Sequence, residues 1–208
     1  GGAFAHKASV TVMATANEGY TFAGWSENGN LASTNASYTF NASANRTLLA
    51  NFTLKQYTIS LSANPVAGGT VSGGGTSSHG QSVTVVATAN EGYTFVGWSE
   101  NGDTVSNNPS YTLSATADHT LVANFTLNRY DVSLSANPTA GGTVSGAGTF
   151  NHGQSVPIVA DPNGSYGFAG WSENGSVVSL NAIYTFTVSS ARNLVANFVQ
   201  TPVAVNDA

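Results

Sequence analysis

The chain contains no cysteine. That absence excludes a disulfide framework and thiolate-held metal, so the fold must be held by apolar packing and hydrogen bonds. Charge is also scarce: 7% of the 208 residues are Asp, Glu, Lys or Arg, against the roughly 25% of ordinary soluble proteins. Ser, Thr, Asn and Gly fill the polar positions instead. With five Lys and Arg and a formal net charge of −5, no basic stripe exists to neutralise a phosphate backbone, which argues against nucleic acid as a partner. No apolar run approaches the ~18 residues of a membrane helix; the longest, such as Val83 to Ala89, have strand length. A sustained helical period with caps is missing too, although Asn90-Glu91-Gly92 has room for one helical turn. Gly1-Gly2-Ala3-Phe4 lacks the charged and apolar regions of a signal peptide, so any export signal or anchor is expected outside this stretch.

What is present is a repeat. Gly92-Tyr93-Thr94-Phe95-Val96-Gly97-Trp98-Ser99-Glu100-Asn101-Gly102 recurs at Gly19 to Gly29 and at Ser165 to Gly175, and Trp25, Trp98 and Trp171 stand 73 residues apart. A fixed period without insertions marks a tandem array. The boundaries read as 1–54, 55–127 and 128–200, with 201–208 as a tail or the start of another module. The same shift maps Gly1 onto Gly74, so the first copy is expected to lack its opening strand.

That strand, Tyr57 to Ala63 and Tyr130 to Ala136, alternates apolar and polar residues, the mark of one face on a core. Asn-Pro and Gly clusters follow (Asn64 to Gly75, Asn137 to Gly148) and argue for turns rather than helix. His79-Gly80-Gln81 and His152-Gly153-Gln154 lead into a third strand, where Pro157 replaces Thr84 and implies an edge position or an unpaired amide. Asn28-Gly29, Asn101-Gly102 and Asn174-Gly175 predict tight hairpin turns. Further strands start at Tyr38, Tyr111 and Tyr184 and close at Phe52, Phe125 and Phe198. About six short strands per copy define a mainly β unit. Junctions such as Thr126-Leu127-Asn128-Arg129 carry no Gly or Pro, which favours stiff stacking into a rod.

Five motifs in register (Tyr-x-Val-x-Leu, Gly-Gly-Thr-Val, His-Gly-Gln-Ser-Val, Gly-Tyr-x-Phe-x-Gly-Trp and Leu-x-Ala-Asn-Phe) resemble the divergent internalin B-repeat family over residues 1 to about 200. The resemblance implies small β-grasp-like modules used in tandem in large bacterial cell-surface and secreted proteins, with no catalytic residues and no cofactor. The tail from Pro202 to Ala208 resembles the opening of cadherin-like or immunoglobulin-like adhesin repeats.

Trp25, Trp98 and Trp171 have two readings: core anchors, or one sugar-stacking ring per module. The strand alternation places apolar residues on both faces around them, which implies cover on both sides and favours core, together with Tyr20, Tyr93, Tyr166, Phe22, Phe95, Phe168, Phe52, Phe125 and Phe198. Glu27, Glu100 and Glu173 recur singly, with no second acid to make a glycosidase pair, and read as solvated turn residues. His6, His79 and His152 recur as strand-capping turn residues; His119 aligns with Arg46 and Arg192, so no two-histidine metal set repeats. Asp161 with Asn163, or Asp207, are weak calcium candidates. The expectation is a non-catalytic spacer at the cell surface or outside the cell, whose partners are neighbouring domains of a long chain or a surface glycan or protein. The alternatives are a carbohydrate-binding module and a strand-exchanging assembly subunit, the latter because the open edge of copy 1 invites strand donation from another chain.

Overall fold

The computed structural model describes residues 1–202, so the tail from Val203 on, with Asp207 and most of the adhesin-like motif, lies outside the described residues. The first copy contributes β1 (Ser9–Met13), β2 (Tyr20–Glu27), β3 (Asn30–Ser33), β4 (Ser37–Asn41) and β5 (Leu49–Leu54). The second contributes β6 (Gln56–Asn64), β7 (Gly69–Ser72), β8 (Gly75–Ser78), β9 (Ser82–Ala89), β10 (Tyr93–Glu100), β11 (Asp103–Ser106), β12 (Ser110–Ser114) and β13 (His119–Leu127). The third repeats this as β14 (Arg129–Asn137), β15 (Gly142–Ser145), β16 (Gly148–Asn151), β17 (Ser155–Pro162), β18 (Tyr166–Glu173), β19 (Ser176–Ser179), β20 (Ile183–Thr187) and β21 (Arg192–Gln200). The fold is mainly β, a tandem series of small sheets, with no α-helix among the described residues.

A full copy has eight strands rather than six. The Asn-Gly hairpins form as expected and add a short return strand (β3, β11 and β19), and the Gly cluster after the opening strand yields two short strands. A three-residue 3-10 turn (Val66–Gly68, Thr139–Gly141) stands where the Asn-Pro and Gly clusters argue for turns rather than helix. At Asn90 to Gly92, where a helical turn had room to form, the chain makes a single reverse turn closed by Tyr93 N–H on the Asn90 carbonyl.

Two compact units divide the described chain, and they do not coincide with the repeats. One comprises Gly1–Val66, Thr70–Thr88 and Val96–Asn124; the other comprises Ala67–Gly69, Ala89–Phe95 and the chain from Phe125 on. By copy, sheet order is β3-β2-β5 with a β1-β4 ladder in copy 1, and β11-β10-β13-β6-β8 with β12-β9-β7 in copy 2. Copy 3 has β16-β14-β21-β18-β19 and β15-β17-β20. In both full copies the opening and closing strands run parallel, Leu61 opposite Leu121 and Leu134 opposite Leu194. Pro157 has one ladder partner, Thr185, because the β15 ladder starts two residues later at Val159.

The indoles lie inside. Trp98 and Trp171 are 0% exposed and Trp25 8%. Two-sided cover is not the reason. In β2 and β18 a bulge falls between Phe22 and Gly24, and between Phe168 and Gly170. One extra residue switches the side-chain phase, so Phe22 and Trp25, three apart, meet edge to face at 5.9 Å, and Phe168 and Trp171 at 6.0 Å. The residue between them, Ala23 or Ala169, faces out.

Copy 1 corrects part of the expected core. Tyr20 is exposed, and Phe52 is 39% exposed where Phe125 and Phe198 are 7% and 5%. The cause is cover. A Cβ added to Gly68 would stand 2.6 Å from Phe125 Cβ, and one on Gly141 equally close to Phe198 Cβ, so the 3-10 turn lies directly on these rings. Copy 1 has no counterpart of that turn among the described residues. Truncation costs should therefore differ by copy. Trp98→Ala and Phe198→Ala should each cost about 3–5 kcal/mol, and Phe52→Ala only about 1–2 kcal/mol in proportion to the smaller area it hides. Hydrogen exchange resolved by copy, under increasing urea, measures all three.

Candidate functional site

The polar side chains that recur at the 73-residue period are the candidates for function, and three constellations emerge. The first follows each Asn-Gly hairpin. Asn28, Asn101 and Asn174 have φ of 47°, 52° and 52°, with their glycines at 81°, 92° and 80°, the values of a two-residue type I′ loop. Immediately before the loop, Glu27 receives Arg46 Nη2–H at 2.6 Å and Arg46 Nε–H at 3.0 Å, while Glu173 receives Arg192 Nη2–H at 2.5 Å and Arg192 Nε–H at 3.0 Å. The guanidinium also lies over an aromatic ring, 4.4 Å from the Phe40 centroid and 4.3 Å from that of Phe186. These glutamates are thus half-buried partners of an arginine fork, not the solvated turn residues that the sequence implied. The fork's hydrogen bonds hold the Glu27 and Glu173 carboxyls below their ordinary 4.5 and push both guanidinium groups up in turn. In copy 2 two changes come together: His119 replaces the arginine and Leu113 the aromatic ring, and His119 Nδ1 meets Glu100 at 2.9 Å.

The second constellation is the asparagine of the Ala-Asn-Phe ending, whose role sequence reasoning missed. Asn51, Asn124 and Asn197 each donate from Nδ2 to the carbonyl of Gly24, Gly97 or Gly170 and to the hydroxyl of Ser26, Ser99 or Ser172, at 2.8 to 3.3 Å. In copies 1 and 3 that carbonyl belongs to the bulge glycine. There the asparagine gives the carbonyl at the bulge a side-chain donor. Its invariance across the three copies was the available signal.

The third is the joint between copies. Lys55 N–H donates to the Gly19 carbonyl at 2.7 Å, and His79 N–H to the Lys55 carbonyl at 2.9 Å. At the next boundary Asn128 N–H donates to Gly92 at 2.8 Å and His152 N–H to Asn128 at 2.9 Å. His79 and His152 therefore belong to the joint and do not merely cap a strand: their rings pack on Gly19 and Gly92 of the preceding copy and lie 5.9 and 6.1 Å from Tyr57 and Tyr130. His6 occupies an exposed turn.

The tryptophans close the account. Each indole N–H donates to a carbonyl eleven residues on: Ala36 at 3.2 Å, Pro109 at 3.1 Å and Ala182 at 3.2 Å. Trp98 and Trp171, fully buried, offer no open face for stacking, which removes the basis for a ligand-binding role of these two; Trp25 keeps 8% of its surface exposed. Asp161 lies in the β17 ladder opposite Thr143, and Asn163 donates to the Ala140 carbonyl at 2.7 Å, so the two serve the sheet and the 3-10 turn.

Two tests follow. Because the folded carboxyl value of Glu173 lies below its ordinary one, the stability from this pair is present above 4.5 and is lost as pH falls through the lowered value. Urea unfolding at pH 7, 5 and 3 should therefore show an acid decline that is shallower in Arg192→Gln. At the joint, Gly92 has φ of 78°, and a Cβ there would overlap the His152 ring. Gly92→Ala should cost the left-handed strain of about 1–2 kcal/mol plus the clash, and adding His152→Ala should recover only the clash. A double-mutant cycle by equilibrium unfolding separates the two.

No curated protein matches the chain. Residues 1–56, 59–129 and 132–202 each match the family described as the divergent InlB B-repeat domain, a family typical of bacterial surface proteins. Three consecutive matches cover nearly all of the sequence, and the chain belongs to the divergent InlB B-repeat family as a run of three tandem repeats.

Proposed function

We infer that this segment is a non-catalytic spacer in a large bacterial cell-surface or secreted protein, holding other domains of the same chain at a distance. The observation that carries this reading is the joint. The same pair of backbone hydrogen bonds and the same histidine-on-glycine contact recur at both repeat boundaries, so one copy meets the next through a defined element rather than a loose linker.

The use of polar chemistry supports it as well. Two of the three recurring glutamates are engaged by arginine forks and the third by His119, the asparagines by bulge carbonyls, and the indoles by the interior. A site that turns over substrate needs groups left free to react. Export and display at the surface agree with the family's usual setting, and no helix among the described residues is long and apolar enough to cross a membrane.

A spacer predicts additive length. From the size scaling for a unit of this length, each further copy inserted at a joint should extend the maximum dimension in small-angle scattering by roughly 30 Å. A dimension that stays constant, or grows only as the cube root of mass, would overturn the reading.

A further inference from the structure

The joint has two parts, and copy 3 keeps one of them. At the first two boundaries a backbone N–H of the following copy donates to the carbonyl of Gly19 or Gly92, and an imidazole of that copy lies against the same glycine. After copy 3 the first part recurs: Thr201 N–H donates to the Ser165 carbonyl at 2.9 Å. The second part meets a changed surface, because the residue at the glycine's place is Ser165.

The turn that carries this residue closes in the same way in all three copies. Tyr20, Tyr93 and Tyr166 N–H donate to the carbonyls of Asn17, Asn90 and Asn163 at 3.1, 3.1 and 2.8 Å. Its third residue differs in hand. Gly19 and Gly92 both have φ of 78°, as a type II turn requires there. Among the described residues other than glycine, positive φ is confined to Lys7, Asn28, Asn101 and Asn174. Ser165 therefore closes its turn without the left-handed backbone against which both joint histidines lie. A return to that backbone would not restore the contact. A Cβ on left-handed Gly19 or Gly92 overlaps the ring of His79 or His152, so a left-handed serine, itself strained, would put its side chain where the imidazole has to be. Gly164 takes the place of Glu18 and Glu91 as well, so the carboxylate next to this residue is gone too.

We propose that position 165 determines which kind of module the joint face of copy 3 accepts. The face takes the backbone N–H of a following module, as it takes that of Thr201, and rejects the imidazole of a repeat built like copies 2 and 3. It fits a module that brings no ring to this place. Such a module loses nothing here, because the backbone hydrogen bond is intact. A repeat with a joint histidine would have to leave the ring in water or push the copies apart. Discrimination then comes from a clash with the wrong partner, with no new contact to the right one. Glycine at this position selects a repeat of the same kind, and serine selects against one. The proposal deepens the spacer reading and rests on it, since it takes the joint as the element that links copies.

The test uses the whole 208-residue chain with a duplicate of residues 55–127 inserted between Gln200 and Thr201, so that the duplicate's Lys55 takes the place of Thr201 opposite Ser165. Segmental isotope labelling of the duplicate lets its amides be read separately by hydrogen exchange. In the chain without the insert, His152→Ala should speed exchange of the Asn128 amide several-fold, because the ring and that hydrogen bond share one joint. In the extended chain, His79→Ala in the duplicate should leave exchange of its Lys55 amide unchanged. Once Ser165→Gly is introduced, the same change should speed it several-fold. Acceleration with Ser165 in place would overturn the proposal, and so would a lack of acceleration after Ser165→Gly. A His152→Ala chain whose Asn128 amide exchanges no faster would overturn the joint itself, and the spacer reading with it, which keeps the two failures apart.

Discussion

Each copy closes around one indole, and the rest of its architecture follows from how that ring is enclosed. A unit of some seventy residues without disulfides has little interior to work with, so a single large ring with a single polar atom must be both buried and satisfied. The carbonyl eleven residues on meets the N–H, and it belongs to the chain just before the next strand of the opposing sheet. One hydrogen bond thereby ties the two sheets across the core. The bulge at Gly24 and Gly170 brings the preceding phenylalanine to the same side as the indole, and the recurring asparagine donates to the carbonyl at the bulge.

Scarcity of charge has a similar logic. In copies 1 and 3 the glutamate before the Asn-Gly loop is engaged by the arginine nineteen residues on, and an aromatic ring backs that arginine. Copy 2 keeps the glutamate and changes both partners together, which marks Arg and Phe as one packing unit. The joints also use little: two backbone hydrogen bonds, and an imidazole in the only space that a glycine leaves. A side chain on that glycine would push the following copy away, so the link between copies depends on an atom that is not there.

The first copy shows what one strand contributes. Its sequence near Trp25 is almost that of the others, yet its closing strand is shorter, its phenylalanine is half open and its opposing ladder is one strand short. Identical local sequence gives different burial because burial is supplied by chain segments distant in sequence.

Period, strand content, the Asn-Gly hairpins and the interior character of the aromatic motif were all legible in the residue order, because they depend on neighbours two to seventy-three positions away and repeat three times. The roles of the glutamates, the asparagines and the joint histidines were not. Recurrence marks Glu27, Asn51 and His79 one by one, but the separations of Glu27 from Arg46, Asn51 from Gly24 and His79 from Gly19 carry no period of their own, so nothing in the linear order says which residues meet. The bulge is the sharpest case. Alternation along Phe95-Val96-Gly97-Trp98 pointed to the interior by assuming an unbroken strand covered on both faces, whereas in β2 and β18 one extra residue resets the phase and leaves a single covered face. Local pattern reports which residues avoid water; which of them meet is settled by register and by what lies across the sheet.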